Sequence, residues 1–324
     1  MNAPLCFESF LRPMVWGGRR LAHTLGKTLP TSESYGEAWE ISDHELHRSV
    51  VASGPWAGRD LRELMKEERQ PLLGPAADRF QQFPWLIKFL DARDWLSVQV
   101  HPDDQAVKQL WPGEGGKTEV WFVLAAAPGS RIYAGLQPGV DADKLRAALK
   151  NGTIVDCLHS FSPTAGDCIF LPAGTVHAVG GGVLLAEVQQ TSDATFRLFD
   201  WNRVDAQGKS RQLHVEQALS CIDWNRGKVF PIQISRFAAR NQESHRQPLV
   251  GCRYFELEYV QTTEPLALGG KNRLQAAIVI GGKGTWADSG VELNVGQTWL
   301  LPAQAPVLEC WPDAVLKLLV CSLP

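Results

Sequence analysis

Short apolar runs bounded by Gly, Pro, Asp or Asn recur along the chain. They include WLSVQVHP (95–102), TEVWFVLAAAPG (118–129), DCIFLPAG (167–174), GVLLAEVQQ (182–190), LQAAIVIGG (274–282) and QTWLLPA (297–303). Many short apolar runs set between turn formers predict β-strands assembled into a sandwich or barrel. Helical spacing is local. Residues 59–69 (RDLRELMKEER) place Leu61, Leu64 and Met65 on one helical face, and Pro71 is expected to end that helix. Residues 141–150 (DADKLRAALK) begin acidic, end basic and run into Asn151-Gly152, a C-terminal stop. The pattern therefore predicts a mainly β protein with short helical insertions.

A weak internal repeat divides this β-rich chain. AGDCIFLPAGTVHAVGGG (165–182) and VGQTWLLPAQAPVLEC (295–310) both read Gly, polar residue, apolar run, Leu-Pro-Ala; the first carries His177 where the second has Pro306. A chain of 324 residues suffices for two domains at about 150 residues each. Placing the boundary in IDWNRGKVF (222–230) gives a first β unit at 1–225, which carries His177, and a second, related β unit at 226–324, which has no counterpart to it.

Composition narrows the function classes. With 44% hydrophobic and 21% charged residues the chain is not dominantly disordered. Thirty-two basic residues stand against 35 acidic ones, for a net charge of −3, and no basic stripe is present, which argues against nucleic acid or an anionic membrane as partner. No run approaches 18 apolar residues, and the N-terminus has no basic segment followed by an apolar one, so neither a membrane span nor a signal peptide is expected. The seven cysteines include no C-x-x-C and fit buried reduced thiols, which makes the cytoplasm the expected compartment. The oligomeric state is left open.

Four segments carry candidate chemistry. In Trp95–Pro102 strand alternation puts Ser97, Gln99 and His101 on one face and Leu96, Val98 and Val100 on the other; a half-exposed strand has the same period. GGKTEVW (115–121) lacks the Gly at 111 that a phosphate loop requires, and Trp111 stands there. Lys117 and Glu119 then share a strand face, either as a solvated ion pair or as part of a site. FLPAGTVHAV (170–179) turns at Pro-x-Gly and delivers His177. His101, Glu119 and His177 make a usual divalent-metal set with positions open for water or substrate, and Gln99 could add a neutral oxygen. Asp43–His47 (DHELH) is one residue short of H-E-x-x-H and is expected to be a polar turn. Finally, Arg197 sits among Phe196, Leu198 and Phe199 and needs a partner if buried, either Asp193 or Asp200 or an anion.

Taken in order, VWGGRRL (15–21), YGEAWEISDH (35–44), SVQVHPDD (97–104), GKTEVWFVL (116–124), FLPAGTVHAVGGG (170–182) and EVQQTSDATFRLFDW (187–201) resemble the type I phosphomannose isomerases, particularly the short bacterial form. The resemblance covers most of residues 10–205. It implies a cupin-type (jelly-roll) β-barrel followed by a second cupin-like barrel, and one Zn²⁺ held by Gln99, His101, Glu119 and His177, with other divalent metals acceptable. It also implies an active-site arginine at Arg197, a lysine near the substrate at Lys117 and a proton-transfer carboxylate at Glu187. Ser97, Lys117 and Arg197 would then bind a small phosphosugar; Arg19 and Arg20 are weaker phosphate candidates with a solvated role expected.

The implied reaction interconverts mannose 6-phosphate and fructose 6-phosphate through a cis-enediol. One divalent cation with three neutral ligands and one carboxylate keeps a charge of about +1, which suits an enediolate. The fuller cupin H-x-H motif is replaced by Gln99-Val-His101, which argues against a cupin dioxygenase. The alternatives are a cupin that binds metal and sugar without turnover, and a cupin enzyme acting on another phosphosugar. Because the ligands bind as neutral His and ionised Glu, loss of metal is expected below about pH 6.

Overall fold

In the computed structural model residues 1–204, 208–234 and 244–324 are described, and among them the chain is mainly β with short helices. The apolar runs form the strands expected of them. A seven-stranded antiparallel sheet is ordered Ile232–Gln233, Asp167–Leu171, Glu119–Ala126, Val183–Gln190, Trp85–Ala92, Tyr35–Ile41 and Phe10–Gly18. Facing it is a five-stranded sheet ordered Leu158–Phe161, Ile132–Leu136, His177–Val179, Val98–Val100 and Phe196–Phe199. A six-stranded and a four-stranded sheet form a second such pair from residues 245–322, with Leu5–Cys6 added as an edge strand beside Thr298–Leu301. These are two cupin-type jelly-roll units. The two repeat segments behave alike, because each sends its first strand into the larger sheet of its unit and its second into the smaller.

Alternation along the central strands sorts the layers. In Trp85–Ala92, Trp85, Ile87 and Phe89 face outward into a core shared with Leu257, Tyr259, Ile278 and Leu319 of the six-stranded sheet. Leu90 and Ala92 face inward and pack, with Trp121, Val123 and Leu185, against Ile132, Ala134 and Val179 of the five-stranded sheet. The outer face of that sheet is covered by Leu145 and Ala148 from Ala142–Asn151 and by Ala218 and Leu219 from Val215–Cys221. The seven-stranded sheet is thus buried on both faces, and its central strands are apolar nearly throughout.

The helix at Ala142–Asn151 has the ends its sequence announces. Asp141 caps it by accepting from Lys144 N, and Gly152 ends it in the left-handed conformation at φ 73°. The segment around 59–73 departs from expectation. One helix, Leu61–Glu67, is closed at its start by the Asp60–Glu63 capping box, the chain breaks at Glu68, and a second helix runs Arg69–Leu73 with Pro71 inside its first turn. A proline there loses no hydrogen bond, since first-turn N–H groups have no helical partner. The DHELH turn is a small hairpin, Asp43–His44 paired with His47–Arg48.

Phe89 is fully buried in the core between the two units. Phe89→Ala is expected to cost about 3–5 kcal/mol, read as a lowered denaturation midpoint; a loss below about 1 kcal/mol would contradict a close-packed seam.

Candidate metal centre and active site

Cross-strand register assembles the centre. His177 lies directly opposite Gln99, and Gln99 lies opposite Arg197, so these three stand side by side on the five-stranded sheet. Glu119 comes from the facing seven-stranded sheet, at the start of Glu119–Ala126. Two glycines make the approach possible. Gly174 (φ +84°) turns the chain between Leu171 and His177 and donates its N–H to His101 O at 2.8 Å. Gly116, just before Lys117, passes so close to the 103–104 backbone that a Cβ there would fall 2.5 Å from Asp104 N. The second glycine before Lys117 therefore serves close chain packing.

His101, Glu119 and His177 are buried, and one ligand atom from each lies within 4.8 Å of the others. His101 Nδ1 donates to Ala194 O at 2.8 Å and His177 Nδ1 to Thr175 O at 2.9 Å. Those bonds put the ring protons on Nδ1 and leave both Nε2 lone pairs facing the centre. The Nε2 atoms lie 3.4 Å (His101) and 3.3 Å (His177) from the Glu119 oxygens, and neither of these oxygens has a hydrogen-bond partner among the described residues. Gln99 Nε2 is 3.2 Å from His177 Nε2, and Ser97 Oγ donates to Gln99 Oε1 at 3.2 Å. Rotation of that amide by half a turn would present Oε1 to the same point.

Burial, and secondarily the Lys117 charge, lower the His101 pKa to about 3; burial also lowers that of His177. Burial opposes ionisation of Glu119, but the Lys117 ammonium at 3.4 Å outweighs it and holds the carboxyl well below its usual range. The result is a buried cluster of three acceptors, two neutral imidazoles and one carboxylate, with the Gln99 amide nitrogen and the Lys117 ammonium as the donors beside it. That acceptor set fits a divalent cation.

Gln99 also lines a cavity of about 270 Å³ whose walls include Ser97, Lys117, Glu187 and Arg197. The structure thus brings Ser97, Gln99, His101, Lys117, Glu119, His177, Glu187 and Arg197 to one centre or to the cavity beside it. Glu187 is buried, accepts from Trp121 Nε1 at 2.9 Å and stands 3.1 Å from Lys88 Nζ. Burial raises its pKa, against the pull of Lys88. Lys88 shares the cavity wall with Glu37, which accepts from Trp39 Nε1 at 2.7 Å and Arg12 Nη1 at 3.1 Å.

Arg197 has neither carboxylate partner considered for it. Asp200 is taken by Arg203 and Arg211; Arg197 Nη1 donates to Gln212 O at 3.0 Å, and its Nε is buried without a hydrogen-bond partner among the described residues. Burial first, and then Arg211, lower its pKa. Arg197, Arg211 and His214 also line an adjoining cavity of about 780 Å³. Arg19 and Arg20 lie elsewhere. Arg20 holds the buried Asp91 at 2.7 Å, and Arg19 donates to Thr31 O and Glu33 O.

Sequence reasoning did not single out Lys88, Glu37, Arg12 and Arg211. The first three had a usable signal, because a charged residue inside an otherwise apolar strand (WLIKFLDA, YGEAWEI) must face something polar. Arg211 had none.

Fold and site together define a metal-binding cupin with a charge-lined cavity. Comparison with known proteins makes the class specific. The profile for phosphomannose isomerase type I, catalytic domain, matches residues 6–125. The mannose-6-phosphate isomerase of Streptococcus mutans is 41% identical over 222 residues, 68% of each chain. The mannose-6-phosphate isomerase ManA of Bacillus subtilis is 38% identical over 220 residues, again 68% of each. A crystal structure of the mannose 6-phosphate isomerase from Bacillus subtilis superposes with a TM-score of 0.87 at 30% identity, over 99% of both chains. The chain belongs to the type I phosphomannose isomerase family.

Burial changes the expected acid response. In the folded chain His101 stays neutral until about pH 3, so release of metal is expected well below pH 6. Protein dialysed at pH 5 should keep its metal, and metal analysis showing release with a midpoint near 6 would contradict this. The sign for metal-free protein is the opposite of protective. Unfolded histidine takes its proton near 6.5 and buried His101 does not, so stability is fully present above about 6.5 and declines as the pH falls towards 3.

Proposed function

We propose that the chain interconverts mannose 6-phosphate and fructose 6-phosphate in the cytoplasm, with one Zn²⁺ held by Gln99, His101, Glu119 and His177. The observation that carries this reading is the junction of the buried His101–Glu119–His177 acceptor cluster with a cavity that presents Lys117, Arg197 and a buried carboxylate, Glu187. Aldose–ketose exchange moves a proton between C2 and C1 while negative charge grows on O1 or O2. When bound, the metal would supply Lewis-acid stabilisation of that charge.

The side chains divide the remaining work. Lys117 and Arg197 place positive charge against the developing enediolate oxygens. Glu187 takes the proton from C2 of the aldose and returns it to C1 while the O2–H proton passes to O1, giving the ketose; its burial raises its pKa above the usual carboxylate value, the direction that helps a carboxylate both accept and return a proton. Trp121 and Lys88 fix its orientation. Ser97, next to Gln99, offers a hydroxyl to the sugar. The phosphate takes the mouth of the cavity, between Arg197 and Arg211, where the guanidiniums gathered around Asp200 leave positive charge in excess among the described residues. No helix among the described residues is long and apolar enough to cross a membrane.

The deciding experiment is a coupled assay for fructose 6-phosphate with Zn²⁺-loaded protein, run beside a panel of other phosphosugars and with chelator. Turnover of mannose 6-phosphate that chelator abolishes is expected, and its absence in metal-replete protein sinks the reading. Arg197→Ala should lower kcat by about 10²–10³-fold at unchanged metal content, the usual cost of losing one charge-stabilising donor. Arg211→Ala should instead raise KM roughly 10–100-fold, equivalent to one charged hydrogen bond, with kcat little changed. A pure kcat effect in Arg211→Ala would place the phosphate elsewhere.

A further inference from the structure

Two loops meet beside the centre without belonging to it. One, 111–118, carries Lys117; the other, 191–195, carries Asp193 and Thr195, which line the substrate cavity. Glu114 ties them together. Its Oε1 lies 3.0 Å from His44 Nε2, and its Oε2 accepts the Asp193 N–H at 3.2 Å. The His44 tautomer follows from its second contact. Leu46 N donates to His44 Nδ1 at 3.2 Å, so the neutral ring carries its proton on Nε2 and gives it to Glu114. Trp39 holds the His44 ring edge-on at 6.0 Å. Burial opposes ionisation of Glu114, but the bonds from His44 and from Asp193 N outweigh it and keep the carboxyl below its usual range.

The tie continues towards the metal ligands. Ser192 Oγ donates to Gly115 O at 2.7 Å and accepts from Ala194 N at 3.1 Å. Ala194 O then takes the proton of His101 Nδ1 at 2.8 Å. An unbroken path thus leads from His44, through Glu114 and the 192–194 backbone, to the ring of a proposed metal ligand, and neither His44 nor Glu114 lines the substrate cavity. An imidazole ligand anchored through its far nitrogen loses less freedom on binding metal and is the stronger base, and loss of such outer partners typically weakens a site about 10–100-fold.

We propose that Glu114, gripped by His44, is a positioning residue that fixes the 191–195 loop, so that Ala194 O orients His101 for the metal and Asp193 keeps its place in the substrate cavity. The proposal rests on the metal-site reading above, and its test reads metal binding apart from turnover. Zn²⁺ affinity is measured by competition with a chromophoric chelator for wild type, Glu114→Ala, Glu114→Gln, His44→Ala and the His44→Ala/Glu114→Ala pair. The visible spectrum of Co²⁺-substituted protein and the melting temperature are recorded for each.

Glu114→Ala should bind Zn²⁺ about 10–100-fold more weakly and shift the Co²⁺ bands. Glu114→Gln has one acceptor for two donors, so that accepting from Asp193 N leaves its NH2 against the His44 Nε2–H, and should fall between. The pair should lose little more than Glu114→Ala alone, because both substitutions break one chain. A folded Glu114→Ala or Glu114→Gln protein with wild-type Zn²⁺ affinity and Co²⁺ spectrum overturns the proposal, even if its melting temperature falls. Wild-type protein that binds no Zn²⁺ overturns the metal site itself and this inference with it.

Discussion

The site depends on one unfavourable arrangement: a buried, ionised carboxylate whose oxygens have no hydrogen-bond partner among the described residues, facing two imidazole lone pairs with the Lys117 ammonium 3.4 Å away as partial compensation. Left alone, such a cluster costs several kcal/mol in lost solvation. It persists because the sheets that carry it are fixed by other contacts. Glu119 is held by strand pairs on both sides, opposite Leu171 and Gln189, and His177 and Gln99 are locked in cross-strand register. The fold supplies the rigidity and the acceptors supply the demand for a cation. This is the reverse of a surface acidic cluster, in which flexible groups relax away from one another in water.

Charge around the cavity is arranged as closely as charge at the metal. Lys88 stands between the carboxylates Glu187 and Glu37, and Arg12 meets Glu37 from the other side. The two carboxylates consequently titrate in opposite directions. Lys88 and Arg12 outweigh the burial of Glu37 and lower its pKa, whereas burial prevails at Glu187 and raises it. Divergent values within one cavity are the arrangement that acid–base chemistry requires, and the role proposed for Glu187 rests on its being the raised member of the pair.

What was legible in the sequence followed from the period of two. Gln99 and His101, two apart on a strand, had to share a face, and Lys117 and Glu119 likewise; the Gly-run-Leu-Pro-Ala repeat marked the sheet-to-sheet crossing in both units. The helix 142–151 was legible because its cap and stop are local. The less legible features arise from contacts between distant segments. Arg211 reaches the mouth because Asp200, eleven residues away, draws it in. Glu114 matters because it meets His44 and Asp193, at separations of 70 and 79 residues. Neither has a periodic signature. The break at Glu68 was missed for a smaller reason, because a proline reads as a terminator unless the preceding residues have already ended the helix.

The second barrel, though it has no metal set among its described residues, has a physical role that the layers make explicit. A sheet that turns charged and ligating side chains inward must turn the alternate residues outward, and here those are Trp85, Ile87, Phe89, Val120, Phe122, Ala186 and Val188. That face, left in water, would be an apolar patch far larger than soluble proteins normally tolerate. The six-stranded sheet covers it with Leu257, Tyr259, Ala276, Ile278 and Leu319. Trp85 Nε1 donates to Tyr254 O across the seam at 3.0 Å. Leu5–Cys6 stitches the beginning of the chain into that covering sheet. The cover therefore stabilises the strands that deliver Glu119, Glu187 and Lys88, and a unit with none of its described residues in the wall of the cavity of about 270 Å³ still determines how firmly those side chains are held.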